Sequence, residues 1–488
     1  MQSLWDDYER NVEHFASLTR EKENFDLVRR RLSLESGELS LFYIDGFIKD
    51  ATMQKLMQYF LDRKTLTESA SLFADRCIPY VEVDTSGDFD FLLLMVLSGA
   101  AVMFGSSFGD RAVVIDARTY PARTTQEPDN DRVMAGAHDG FVETLIFNTA
   151  LIRRRIRDPR LTMRYVSLGG EARTDVVLCY MEGKADGEYV AMLEKKLRSL
   201  RPESLTLGAQ SLGECLIRRR WYNPFPKLRR LERPDAAAAE VAEGRVLLLC
   251  DTSPQVIVLP TSILDFLQET DDYYFPPFTG GYLRLVRHFI FWAAPFLTPL
   301  WYLALMYADL LPPALAFLVP SDPGSLPILL QLYLAELAVD TLKLASMNAP
   351  GMLSNSLSVI GGLILGDFAV TVGWFCPDVI FYMAVVAVAG FTQRSYELSY
   401  AFKFMRVMLL TLTALLGGWG LALGSVLFIV LICANETVNG KHSYLYPLIP
   451  FAPHALGRLF FRLKKPDVAY AAGEKRQGAS GEHSEKNK

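Results

Sequence analysis

The sequence predicts an α/β or α+β N-terminal region of two subdomains followed by a multi-pass α-helical membrane domain. Three observations predict it. From Phe289 to Cys433 the chain is almost continuously apolar. The runs FIFWAAPFLTPLWYLALMY, LSVIGGLILGDFAVTVGWF, VIFYMAVVAVAGF and VMLLTLTALLGGWGLALGSVLFIVLIC mostly approach or exceed the ~20 apolar residues of a bilayer-spanning helix. Ahead of that block, strand-like and helix-like patterns alternate. Beyond Pro450 the chain turns basic and then polar. The expected divisions are 1–130 and 131–270 for the two subdomains, 271–450 for the membrane domain and 451–488 for a tail, rich in Gly, Ser, Lys and Glu, that is expected to be disordered.

At 488 residues the chain has room for two or three domains of about 100–200 residues each. Its net charge of −5 gives no reason to expect a nucleic acid. The six cysteines are scattered, with no CxxC pair and no histidine beside them. That speaks against a zinc site or a disulfide framework and fits a reducing cytosol. No cofactor is expected. The polar, acidic start MQSLWDDYERNVEHF lacks a basic segment followed by an apolar core, so no cleavable signal is expected and the N-terminal region is placed in the cytoplasm. Arg284, Arg287 and His288 precede the first apolar run, in keeping with the positive-inside rule.

In chain order, charged helical segments lead to a strand-like YIDGFI, and Ala51–Ser71 predicts an amphipathic helix. The stretch from Phe91, FLLLMVLSGAAVMFGSSFGDRAVVIDAR, reads as a meander of about three strands ending at Ala112–Ala117, punctuated by Ser98-Gly99 and Gly105-Ser106-Ser107. Asp139 is expected to cap a helix that runs to about Arg157 and stops at Pro159. Arg153, Arg154, Arg155 and Arg157 then read as a solvated basic helix end rather than an anion site. LTMRYVSLGGEARTDVVLCYMEG predicts a hairpin about Gly169-Gly170, followed by a helix at Glu188–Leu200 and another after Gly213. RVLLLCDTSPQVIVLP predicts a second hairpin with its turn at Asp251–Pro254. Between them, the interleaved aromatic and basic residues of IRRRWYNPFPKLRRLERPD suit either a loop near anionic lipid headgroups or a rigid proline loop between subdomain elements.

Inside the apolar block, Pro327–Asp367 holds the candidate site. Glu336 and Asp340 are four apart and share a helix face, with Lys343 a turn further on. Carboxylates at membrane depth are costly and tend to face a bundle interior or a water-filled path. Two readings stay open: an ion path, or an Asp340–Lys343 pair that lets the helix lie in the membrane. Ser354, Ser358, Gly362 and Gly366 form a small-residue stripe for close helix packing, Asn355 and Ser358 offer polar contact, and Asp367 is either an ion-path residue or a helix-end residue near a headgroup. An even number of spans is expected, with Pro327–Leu344 re-entrant or the last run broken at Gly417, Gly418 and Gly420. Five spans would leave the basic tail outside, against the charge rule.

Several motifs agree in order and spacing: EPD, GFVE, NTALIRRRIRDP (Asn148–Pro159), NPFPK (Asn223, Pro224, Phe225, Pro226, Lys227), ERPD (Glu232, Arg233, Pro234, Asp235) and YLYPLIPFAP (Tyr444–Pro453). In these the chain resembles the A-subunit family of bacterial spore germinant receptors, the GerA family, over nearly all its length up to about Lys465. YPAR at Tyr120–Arg123, Leu357–Val370 and Gln393–Arg406 resemble a sporulation-protein branch of that family. Leu231 and Ser346–Ser356 depart from its nutrient-receptor branch, which speaks against direct nutrient sensing. The resemblance implies a two-subdomain cytosolic region and a multi-pass domain in the inner membrane of the endospore. It also implies homo-oligomers, with pentamers the expected form, that act with other germination membrane proteins as channels releasing monovalent cations.

Two functions compete. The first is a subunit of an oligomeric ion channel in which Glu336 and Asp340 attract cations. The second is a non-conducting receptor or scaffold that the membrane part only anchors. An enzyme finds little support, because GxxxxGK[ST], HExxH and a dinucleotide glycine fingerprint are all missing from the sequence.

Overall fold

The computed structural model describes residues 2–118, 136–348, 361–362, 368–438, 443–452 and 456–457, except 36, 49, 63–67, 81, 171–172, 218–221, 270 and 394. The chain forms two compact units. The first comprises Met1–Arg219, Lys227–Thr261 and Thr437–His442; the second comprises Arg220–Pro226, Ser262–Glu436 and Ser443–Lys488.

The first unit repeats one pattern twice. Its first half runs α1 (Tyr8–Thr19), β1 (Leu27–Leu34), β2 (Gly37–Ile44), α2 (Asp50–Asp62), α3 (Ala70–Cys77), β3 (Val83–Ser86), α4 (Phe89–Leu97), β4 (Ala101–Gly105) and β5 (Ala112–Ile115). Its second half runs α5 (Leu145–Arg155), β6 (Leu161–Leu168), β7 (Thr174–Met181), α6 (Gly187–Ser199), α7 (Ala209–Leu216), β8 (Arg229–Leu231), α8 (Pro234–Ala242), β9 (Val246–Cys250) and β10 (Val256–Leu259). The sheet orders, β1-β2-β4-β5-β3 and β6-β7-β9-β10-β8, are the same topology, and the pairings among the described residues are antiparallel. Antiparallel sheets with helices make the class α+β rather than α/β.

The strands form because both faces find apolar cover. On β7, Val176, Leu178 and Tyr180 enter one core while Val177, Cys179 and Met181 enter the other. Period-two alternation thus buries both faces of the sheet. The same holds in the first half, where Leu39 and Leu41 face one cluster and Phe42 and Ile44 the other.

Four sequence expectations need correction. The run from Phe91 is not a strand but part of helix α4. Asp88 caps it, accepting from the Asp90 amide at 3.1 Å, and Phe89, Leu92 and Val96 recur at helical spacing into the core. Ala51–Ser71 is not one helix; α2 ends at Asp62 and α3 begins at Ala70. Asp139 does not cap a helix. Helix α5 begins at Leu145 behind Thr144, and Asp139 instead grips Arg155 through both carboxylate oxygens at 2.6 Å. Gly213 lies inside helix α7 rather than before it, because a Cβ there would come within 2.8 Å of Leu228. Both hairpins form where expected.

The second unit is helical: α9 (Asp271–Tyr274), α10 (Pro277–Ala293), α11 (Leu297–Met306), α12 (Ile328–Asn348), α13 (Pro377–Phe391), α14 (Tyr396–Leu416) and α15 (Gly418–Cys433). Helices α10 and α11 meet at a 48° bend. Pro295 sits in the break, where its ring cannot continue the helix. The long run Val407–Cys433 folds back on itself at Gly417, whose φ of 61° suits glycine. Gly424 lies close against Leu409 and Gly420 against the Leu412 carbonyl, so α14 and α15 form an antiparallel hairpin. Among the described residues, α14 alone is long and apolar enough to cross a membrane, and the bent α10–α11 pair is a second if counted as one span; α13 and α15 are shorter apolar helices. Within Leu357–Phe375, residues 357–360 and 363–367 lie outside the described residues.

Candidate functional site: a charged cavity in the helical unit

Helices α12 and α14 lie side by side, tied by three polar rungs in antiparallel register. Tyr333 and Thr411 share a hydroxyl hydrogen bond of 2.7 Å. One turn along, Arg406 donates to both Glu336 oxygens, at 2.5 and 3.0 Å. Another turn along, Lys403 forms an ion pair with Asp340, and its ammonium also donates to the Glu336 carbonyl at 3.2 Å. Helical spacing explains the ladder: 333, 336 and 340 share one face of α12, and 403, 406 and 411 one face of α14. Glu336 and Arg406 are both buried, so their charges are stable only as a pair.

The two carboxylates therefore share a face, as expected. Asp340 pairs across to α14, however, and not along its own helix to Lys343. That correction follows from reach: Lys403 lies opposite Asp340, whereas the Lys343 ammonium sits 5.0 and 5.7 Å from the Phe391 and Tyr400 ring centres. Lys343, Gln393, Ser399 and both ion pairs line a cavity with about 30 Å³ of free volume, walled elsewhere by apolar residues such as Phe291 and Val386. Lys403, Arg406, Gln393 and Ser399 lie outside the acidic pattern of Pro327–Asp367 and join the site only through the fold. The legible signal was a Lys and an Arg three apart within the apolar α14. Ser354, Asn355, Ser358, Gly366 and Asp367 lie outside the described residues. Among the described residues a Cβ on Gly362 would meet nothing within 4 Å, whereas one on Gly361 would come against Leu342.

A second polar group closes the helical unit. Asn223 donates to the Leu431 carbonyl at 2.8 Å, satisfying an acceptor in the last turn of α15, and accepts from the Phe225 amide at 3.1 Å. Phe225 packs against Phe402 and Phe428 at about 6 Å between ring centres. The Pro226 carbonyl accepts from Asn435 at 3.2 Å and Tyr444 at 2.8 Å. The NPFP stretch is thus core to the second unit and not a subdomain or headgroup loop. Before α10, Arg284 and Arg287 both pair with the buried Asp272, and Arg287 also with Glu269, so these arginines are internally neutralised.

The family model described as "Bacillus/Clostridium GerA spore germination protein" matches residues 15–470. The chain belongs to the GerA family. It is 36% identical over 463 residues to stage V sporulation protein AF of Bacillus subtilis (strain 168), across 94% of this chain and 92% of that one. That relative carries the name of the sporulation branch that the YPAR, Leu357–Val370 and Gln393–Arg406 stretches resemble. Spore germination protein KA of the same organism is 24% identical across 93% and 85%. The N-terminal domain of the A subunit of the Bacillus megaterium spore germinant receptor GerK3, a crystal structure, aligns at 22% identity over 54% of this chain and 98% of that one, with a TM-score of 0.40.

The remaining GerA motif residues lie in the two-sheet unit and act structurally. Asn148, on α5, exchanges two hydrogen bonds with the Val142 backbone, at 2.5 and 2.8 Å. Arg153 is not a solvated helix end. It is 1% exposed, holds Asp26 through both oxygens at 2.8 and 2.9 Å, and donates to Asn24 and to the Leu161 carbonyl, each at 3.2 Å. Burial here is favourable because every charge has a partner with fork geometry. Arg154 and Arg157 remain exposed. Glu232 accepts from Gln255 at 2.7 Å, while Arg233 grips Asp235 at 2.6 and 3.0 Å around Pro234, which opens α8.

Proposed function

We propose that this GerA-family chain is a membrane subunit of an oligomeric spore germination ion channel, not an enzyme, and that it passes monovalent cations. In this reading the helical unit crosses the spore inner membrane several times, the α14–α15 hairpin returns the chain to its starting side, and the two-sheet unit stays in the cytoplasm. The observation that carries the reading is the ladder of Glu336, Asp340, Lys403 and Arg406 beside a cavity in a unit whose outer helix faces expose Phe289, Leu337, Phe381, Leu415 and Trp419. An apolar exterior around ionisable side chains is the arrangement that a bilayer demands, and such residues in a membrane interior mark ion paths by default.

The pairing changes how the acids act. They are not bare cation attractors; conduction requires the rungs between α12 and α14 to part. Removing Glu336 alone would strand Arg406, so the informative variant neutralises a whole rung. Full-length protein in potassium-loaded liposomes is expected to release the cation, and Asp340→Asn with Lys403→Gln to change the release rate severalfold. A wild-type chain that releases nothing overturns conduction. The second reading, a non-conducting scaffold, is favoured by one observation: within a single chain both carboxylates are already neutralised.

A further inference from the structure

We propose that the cavity between α12, α13 and α14 is a binding site for a small monovalent anion of about the size of chloride. Charge counting comes first. Of the described residues lining the cavity, Glu336 and Asp340 are acidic, while Lys343, Lys403 and Arg406 are basic. Arg406 is matched by Glu336 and Lys403 by Asp340, which leaves one cation over. That cation is Lys343, whose ammonium rests near the Phe391 and Tyr400 rings with no hydrogen bond or carboxylate within ion-pair distance among the described residues. Ring faces replace only part of the hydration that an ammonium loses in an apolar bundle, so a counter-ion is favoured.

Geometry supplies a seat for it. Gly390, on α13, has no side chain, and the point its Cβ would occupy lies 3.2 Å from the Ser399 hydroxyl and 3.6 Å from the Lys343 ammonium. The two donors thus converge beside this one position of α13, and neither has a hydrogen-bond partner among the described residues. The Gln393 side chain is a third polar group there. Its Oε1 is buried without a partner, and a half-turn of the amide presents Nε2 in its place. The free volume, about 30 Å³, exceeds the ~10–15 Å³ that one water requires, so a small ion can be seated there. Apolar walls at Phe291 and Val386 favour a weakly hydrated ion.

The test is thermal unfolding of the full-length chain in detergent, at fixed ionic strength, with sodium chloride replacing sodium gluconate. Binding to the folded state raises Tm along a saturating curve. Lys343→Gln is expected to raise the half-saturating chloride concentration at least tenfold, and Gly390→Ala, which sets a methyl group against both donors, to abolish the response. Identical curves in chloride and gluconate overturn the site, as does a wild-type response in both variants. Should Lys343→Gln not fold, Ser399→Ala removes one hydroxyl and decides in the same way: a severalfold weaker response supports the site and an unchanged one overturns it. No ion flux is read, so this outcome is independent of the conduction assay.

Discussion

Arg153 shows how much one side chain can hold. Its guanidinium reaches Asp26 and Asn24, just before β1, and the Leu161 carbonyl at the start of β6, so one group ties the two sheets of the first unit together. Removing one partner of a buried pair costs about 3–5 kcal/mol, since the other charge is left without water or counter-charge. Arg153→Met is therefore expected to lower the unfolding midpoint of the first unit sharply, and adding Asp26→Leu to restore much of it. A neutral Arg153→Met would show that the pair holds nothing. Arg153 also marks a limit of sequence reading: four arginines in five positions look alike on paper, and only the fold says which one turns inward. Cys77, Cys179 and Cys250 in the same unit are plain core residues, whereas Cys215 is exposed, and burial pushes the Cys179 and Cys250 thiols up to about 12.

Among elements, α4 and the α14–α15 hairpin carry the lesson. A run of Phe, Leu, Met and Val suits a strand or a buried helix equally, and the choice fell to a capping Asp88 and to three-and-four spacing. The hairpin is held at its open end by the NPFP stretch, far away in sequence. Asn223→Ala removes the donor to the Leu431 carbonyl and the acceptor for the Phe225 amide. A loss of about 1–3 kcal/mol is expected, read as a lower Tm of the helical unit in detergent. An unchanged Tm would mean that aromatic packing around Phe225 alone fixes this segment. The motif residues were legible as a family signature, but the place of NPFP inside the helical unit was not, because the partners lie some 200 residues apart.

At the scale of the whole molecule, the two sheets repeat one chain path, and the helical unit wears its apolar side chains outward. An apolar exterior calls for cover, which lipid or a neighbouring copy would supply. If several copies surround an ion path, the detergent-extracted complex is expected to be a ring of identical subunits by electron microscopy. A monomer in the same preparation would favour the scaffold reading. The GerA resemblance ran ahead of these contacts because it rests on ordered motifs, which a linear reading detects; charge neutralisation across helices leaves no such linear trace.

By itself the sequence determined the helix and strand runs with clear periodicity, the family and the concentration of apolar residues after Phe289, since each is a property of neighbours along the chain. Tertiary structure alone decided that Arg153 is buried, that Asp340 pairs with Lys403, and that Lys343 is left over beside a cavity. Those outcomes depend on which faces of distant helices meet, and the energy of a charge is set by what surrounds it in space.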